Sequence, residues 1–218
     1  MNLQDHIRRY FELVASANRL FEAVQREHGH LMGCKQGCDE CCSVYYELTL
    51  IEAFVVNGMF ARTVPRPAAR RALKRAESLE PLFLKAKTDL VSVPTENVTA
   101  EGLQEAAAKI KLQCPLNEEG GCVLYEYRPI TCRLYGVPQK IANRVVSCPR
   151  SQFAKGDRYT TVDVDEIQTR LFEFSREFLE DMIGEGPSSP PGPLFFMATA
   201  LKTQFDKDFF LSLKEGLR

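Results

Sequence analysis

Eight cysteines, all confined to two clusters of a 218-residue chain, constrain this protein more than any other feature of its sequence. The first cluster reads Cys34-Lys-Gln-Gly-Cys38-Asp-Glu-Cys41-Cys42, a C-x3-C-x2-C-C spacing, and the second runs Cys114, Cys122, Cys132, Cys148. Thiolates gathered at one point select zinc or iron–sulfur chemistry. Cys34, Cys38 and Cys41 stand at i, i+4 and i+7, which on a helix would share a face; Gly33 and Gly37 favour a loop instead, since glycine lets the backbone fold closely round a metal. Cys42 follows Cys41 directly, so its side chain is expected to point elsewhere. Two four-cysteine sites is the simplest arithmetic: either four thiols form one centre and the rest another, or the clusters exchange ligands.

An even cysteine count also suits four disulfides in a secreted protein. The opening Met1-Asn-Leu-Gln-Asp-His-Ile-Arg-Arg-Tyr-Phe is charged throughout and lacks the apolar core of a signal peptide. Apolar runs such as Leu194 to Met197 are far too short for a membrane span. The expected compartment is therefore the reducing cytoplasm, where ligation is favoured over disulfides and no membrane is engaged. With 28 Lys and Arg against 29 Asp and Glu, and no long block of like charge, composition offers no argument for nucleic acid.

The pattern predicts a mainly α fold: a single domain, 1–218, with helices around an irregular cysteine-rich centre and at most a short β-hairpin. Leu3, Ile7, Tyr10, Val14, Ala17, Phe21 and Val24 recur at helical steps over 2–28. Thr49-Leu-Ile-Glu52 is a capping box ahead of a helix at about 50–61. A basic helix over 68–79 is expected to end before a further helix opened by Pro81 and running to about 90. A polar loop, 91–98, precedes a helix over 99–112. Cys122 to Pro129 reads as a strand end or one helical turn, and 141–146 as a hairpin arm with Asn143 near its turn. Asp165 is expected to cap a helix stopped by Gly184, Pro187 to Pro193 to form a stiff linker, and 195–214 to form a last helix, so that helical segments fill 165–214.

The C-x3-C-x2-C spacing is similar to the cluster-binding triad of radical S-adenosylmethionine enzymes, in which three cysteines leave one iron open. This chain has no βα alternation, and Glu40 stands where those enzymes place an aromatic. A longer resemblance takes in all eight cysteines, Cys114-Pro115-Leu116, Gly121-Cys122, Tyr125, Arg128-Pro129, Cys132-Arg133 and Tyr135-Gly136. Over about 30–150 the chain resembles the CxxCxxCC family of YkgJ-like cysteine cluster proteins, described as zinc- or iron-chelating domains and related to flagellin lysine-N-methylases. One departure is the three residues, not two, between Cys34 and Cys38. The resemblance implies a metal centre of zinc, iron or an iron–sulfur cluster as cofactor, with all eight cysteines as ligands. Through its methylase branch it implies methyl transfer to protein lysine from S-adenosylmethionine. No glycine-rich loop for that cosubstrate follows a strand here. A third class of function is an interaction module in which zinc only staples the centre.

Arg128 and Arg133 flank Cys132 and would offset the negative charge of a thiolate centre by donating to its sulfurs; a clamp for a substrate carboxylate and a surface ion pair with Glu126 are the alternatives. Tyr125, Tyr127 and Tyr135 are expected to be core packing with surface hydroxyls. His28 and His30 are potential ligands that eight cysteines make unnecessary. Asp39 and Glu40 read as solvated loop charges, and the run Arg70-Arg71-x2-Lys74-Arg75 as a solvated helix face.

Overall fold

The computed structural model describes residues 2–35, 37–92, 100–154, 156–184 and 192–216. The fold is mainly α with two small sheets, as the sequence predicts. Helix α1 (Leu3–His28) starts at Asn2, whose side chain accepts the Asp5 N–H at 3.0 Å, and buries Tyr10, Leu13, Val14, Ala17 and Val24. That face packs on α2 (Leu50–Thr63), which is apolar nearly all round and lies in the middle of the molecule. The Thr49 cap forms as expected, with Glu52 accepting the Thr49 N–H at 3.4 Å.

Helix α3 (Arg66–Val91) is one element, not two, and runs straight through Pro81. A helix-interior proline costs about 3 kcal/mol in lost bonding and clash. Here that cost is offset by burial of Phe83, two residues on, whose ring stacks on Phe196 with centroids 5.0 Å apart. Helix α4 (Ala100–Lys109) stops short of the predicted end at Leu112, and Lys111 instead bridges to Val44. Most of the expected 91–98 loop, and residues 187–191 of the expected linker, lie outside the described residues.

The cysteine-rich centre contains both readings of 122–129. Strands β1 (Asn117–Glu118) and β2 (Gly121–Cys122) form a hairpin, and a 3-10 turn follows at Tyr125–Tyr127. Then comes the short helix α5 (Ile130–Leu134). The second hairpin is as predicted: β3 (Gln139–Ile141) pairs antiparallel with β4 (Arg144–Val146) through Ala142 and Asn143, at φ 47° and 61°. Two positive φ values suit the tight turn that matches strand twist. A third strand, β5 (Val162–Asp163), joins β3 in parallel and was not anticipated.

Asp165 is not the cap of α6 (Val164–Ile183). Its carboxylate accepts the Ala142 N–H of the hairpin turn at 2.9 Å, while Asp163 caps the helix by accepting from Glu166 N–H at 3.2 Å. The final helical segment is two helices, α7 (Met197–Lys202) and α8 (Lys207–Gly216). The break has a cause: the Asn57 amide donates to the carbonyls of Ala200, Leu201 and Thr203, at 2.9, 3.3 and 3.1 Å, ending α7 there. Among the described residues, no helix is long and apolar enough to cross a membrane.

Glu52 is only 2% exposed and also accepts the Ile130 N–H at 3.3 Å, tying α2 to the start of α5. The hydroxyls of Tyr10 and Tyr46 lie within its field. Burial raises its carboxyl from the usual 4.5 to about 7, against the three hydrogen bonds that favour the anion. A carboxyl raised on folding contributes stability that is complete below its unfolded value and is lost as pH rises through the folded one. Glu52→Gln removes that dependence. Relative to wild type, the variant should therefore gain about 1–3 kcal/mol between pH 5 and pH 8 in denaturant unfolding; an unchanged difference would refute the neutral-acid reading.

Candidate metal centre

All eight cysteines are free thiols, and all eight line one cavity of about 620 Å³. They reach it from six places in the fold. Cys34 and Cys38 come from the loop after α1; Cys41 and Cys42 from a 3-10 turn, Glu40–Ser43; Cys114 from the stretch after α4; Cys122 and Cys132 from β2 and α5; and Cys148 from the segment after β4. The first motif is thus a loop, as Gly33 and Gly37 suggested, with Gly37 at φ 81°. Cys42 does not turn away: its thiol meets that of Cys41, and both face the same cavity.

Backbone contacts hold these segments together. The Cys114 N–H donates to the Cys42 carbonyl at 2.6 Å, joining the two clusters directly. Gln152 N–H donates to Leu31 O at 2.7 Å and Gly33 N–H to Ser151 Oγ at 3.2 Å, which lays the Cys148 segment along the first loop. Two glycines make the approach feasible. A methyl group at Gly33 would overlap the Arg150 carbonyl, and one at Gly136 would overlap the Cys34 sulfur. Gly136 belongs to the sequence motif, but its role as the floor under Cys34 is visible only in three dimensions.

Charged residues near the motif do more than solvate it. Glu40 pairs with Arg150 at 2.8 Å, and Asp39 accepts from the Asn117 amide at 3.2 Å, so both acids of the first motif tie it to the second cluster. Arg71 and Arg75 lie on the solvated face expected of that run and also hold Glu118, at 2.5 and 3.3 Å, and Arg75 donates to the Pro115 carbonyl at 2.9 Å. They anchor the Cys114–Cys122 loop on α3.

Of the two flanking arginines, Arg133 does not donate to sulfur as expected. It is 7% exposed and its guanidinium donates to the Arg128 carbonyl at 2.8 Å, to the Glu126 carbonyl and to Asn18 at 3.1 Å. Such a clamp on backbone carbonyls shapes the turn that delivers Cys132. Arg128 lines the cavity, stacks 3.8 Å over the Tyr125 ring and donates to the Tyr125 carbonyl at 2.9 Å. Its charge opposes the effect of burial on Cys34 and Cys122.

Tyr127 packs edge-on against Phe11, and Tyr125 is largely exposed beneath Arg128. Tyr135 lines the cavity. The tyrosine that sequence reasoning missed is Tyr46, whose hydroxyl lies 3.1 Å from the Cys132 sulfur. Its position four residues after Cys42 was the available signal. His28 packs edge-on against Phe153 and Tyr159, and neither it nor His30 lines the cavity.

Crowding and burial push up the thiols of Cys34, Cys41, Cys42, Cys114, Cys122 and Cys148. Cys41 is pushed up to about 12, first by its contact with Cys132. Cys42 is raised by Cys41, then by burial, and Cys114 by burial, then by Cys42 and Cys122. Among the described residues, no three Cys, His, Asp or Glu side chains already converge as a ready-made grip for one metal ion. The donor chemistry nonetheless suits a soft metal, since the ligand types lining the cavity are thiols with one carboxylate, that of Glu40. The chain matches no family model, no curated protein and no solved structure.

Glycine substitutions test this architecture. Gly33→Ala meets an immovable backbone carbonyl and should cost about 1–3 kcal/mol, as overpacking does. Gly136→Ala should cost less, because the Cys34 side chain can swing aside, but should raise the alkylation rate of Cys34. Gly58→Ala, in α2 with nothing within 4 Å of the added carbon, should stabilise by about 0.5–1 kcal/mol. Equal denaturation midpoints for all three would contradict the close approach of segments described above.

Proposed function

We propose that this chain is a metal-binding protein whose cysteine-lined cavity holds zinc or iron, the iron as an iron–sulfur cluster, with the eight cysteines as ligands. One observation carries the reading: thiols from six places in the fold, more than a hundred residues apart at the extremes, line one cavity. Core packing does not need cysteine at eight such positions. The resemblance to the CxxCxxCC family, carried by the same eight cysteines and the Arg-Pro and Cys-Arg pairs beside them, supports the same conclusion.

A bound metal cation would supply the positive charge that stabilises the thiolate form of its ligands. This chain's own residues would do the rest. Asp39, Glu40, Arg71 and Arg75 hold the ligand loops in place through Asn117, Arg150 and Glu118. Tyr46 offers its hydroxyl to the Cys132 sulfur, and Arg128 sets a positive charge on the cavity wall. Eight free thiols fit a reducing compartment, so we place the protein in the cytoplasm.

The test is metal and acid-labile sulfide analysis of protein purified without oxygen, with a visible spectrum. Iron and sulfide in similar amounts, with brown colour, establish a cluster; stoichiometric zinc in colourless protein establishes a zinc site. Absence of both metals, with thiols that pair on oxidation, refutes the proposal.

A further inference from the structure

We propose that the eight thiols divide across the two sequence clusters, not along them: Cys34, Cys38, Cys41 and Cys148 hold one metal centre, and Cys42, Cys114, Cys122 and Cys132 hold a second beside it. The proposal rests on the metal-binding reading above and deepens it by assigning the ligands.

Three observations place Cys148 with the first loop. Its segment is bonded to that loop at Leu31 and Gly33, through Gln152 and Ser151. Gly33 abuts the Arg150 carbonyl so closely that no side chain fits between them. Arg150 then reaches across to Glu40, the residue before Cys41, at 2.8 Å. The segment therefore touches the first loop on both sides of Cys34 and Cys38. Cys34 itself lies against Gly136, whose carbonyl accepts from Ser151 Oγ of the Cys148 segment at 3.3 Å.

Cys42 is pinned to the other group by its backbone. Its carbonyl accepts from Cys114 N–H at 2.6 Å, and the Cys114 carbonyl accepts from Asn117 N–H at 3.0 Å. Asn117 is the register partner of Cys122 across the β1–β2 hairpin. Cys42, Cys114 and Cys122 are thus three steps along one bonded path. Cys132 joins them through Tyr46, whose hydroxyl is 3.1 Å from its sulfur and whose segment bridges at Val44 to Lys111, just ahead of Cys114.

This division also resolves the neighbouring pair. Adjacent residues seldom ligate one ion without strain, and here Cys41 and Cys42 serve different centres. The Cys41 thiol meets those of Cys42 and Cys132, so it stands on the boundary and sets the two centres side by side.

Double cysteine-to-serine variants separate this partition from the one that follows sequence order. Cys34→Ser/Cys148→Ser strikes one centre and should leave about half of the wild-type metal; Cys114→Ser/Cys148→Ser strikes both and should leave almost none. The reverse pattern, with Cys34→Ser/Cys148→Ser empty and Cys114→Ser/Cys148→Ser half loaded, overturns the proposal in favour of sequence-order sites. Wild-type protein provides a second measurement that needs no variant to fold. It is stripped stepwise with a chelator, alkylated and mapped by mass spectrometry at each step. Cys34, Cys38, Cys41 and Cys148 should become labelled as one set, and Cys42, Cys114, Cys122 and Cys132 as another. Labelling of Cys148 together with Cys114 overturns the assignment, as does simultaneous labelling of all eight. A wild-type protein that never carries metal defeats the underlying reading, a result distinct from either pattern.

Discussion

The hydrogen bond from Cys114 N–H to the Cys42 carbonyl, at 2.6 Å, is the junction on which the rest of the arrangement depends. It brings together two cysteine clusters separated in the chain by α2, α3 and α4. Those helices do not enter the site; they build the frame that lets distant loops meet. α2 fills the middle of the molecule, and α3 supplies Arg71 and Arg75 to grip the Glu118 turn. On the other side, α1 and α5 are joined by Arg133, which reaches Asn18 while holding the carbonyls of the Cys132 turn. An irregular loop region has few backbone bonds of its own, so its polar groups must be satisfied by such side chains.

That division of labour explains a tension at the centre. Eight thiols around one cavity contribute little packing, and crowded sulfurs make weak mutual contacts. The fold compensates with ion pairs, carbonyl clamps and glycines that permit backbone to approach backbone. A metal-loaded state would replace those weak contacts with strong bonds from thiolate to cation. The loops are therefore pre-positioned by the protein, and under the proposed function a metal would close the ligand shell.

Much of this was legible in the sequence. Helices α1, α2 and α6, the Thr49 cap, the hairpin about Asn143 and the loop character of Cys34–Cys42 follow from periodicity, capping chemistry and glycine placement. What was not legible shares one property: it depends on tertiary partners. Pro81 should stop a helix, but Phe83 finds Phe196 to stack on. Asp165 looks like a cap, but the hairpin turn claims it and Asp163 substitutes. The last helix breaks because Asn57, from a distant element, captures its carbonyls. In the site, the positions of the cysteines were plain from spacing, whereas Tyr46, the Gly136 floor and the carbonyl-holding role of Arg133 required the chain to be folded. Arg133 shows the limit most clearly, since its neighbour Cys132 suggested a sulfur partner and its burial among carbonyls dictated another.

The central claim is that the cavity's thiols are the metal ligands. X-ray absorption at the edge of whichever metal the purified protein carries tests this most directly. The account predicts a first shell of sulfur alone, at about 2.3 Å. A shell containing nitrogen or oxygen ligands at about 2.0–2.1 Å would contradict it, because those distances belong to histidine and carboxylate donors outside the eight cysteines.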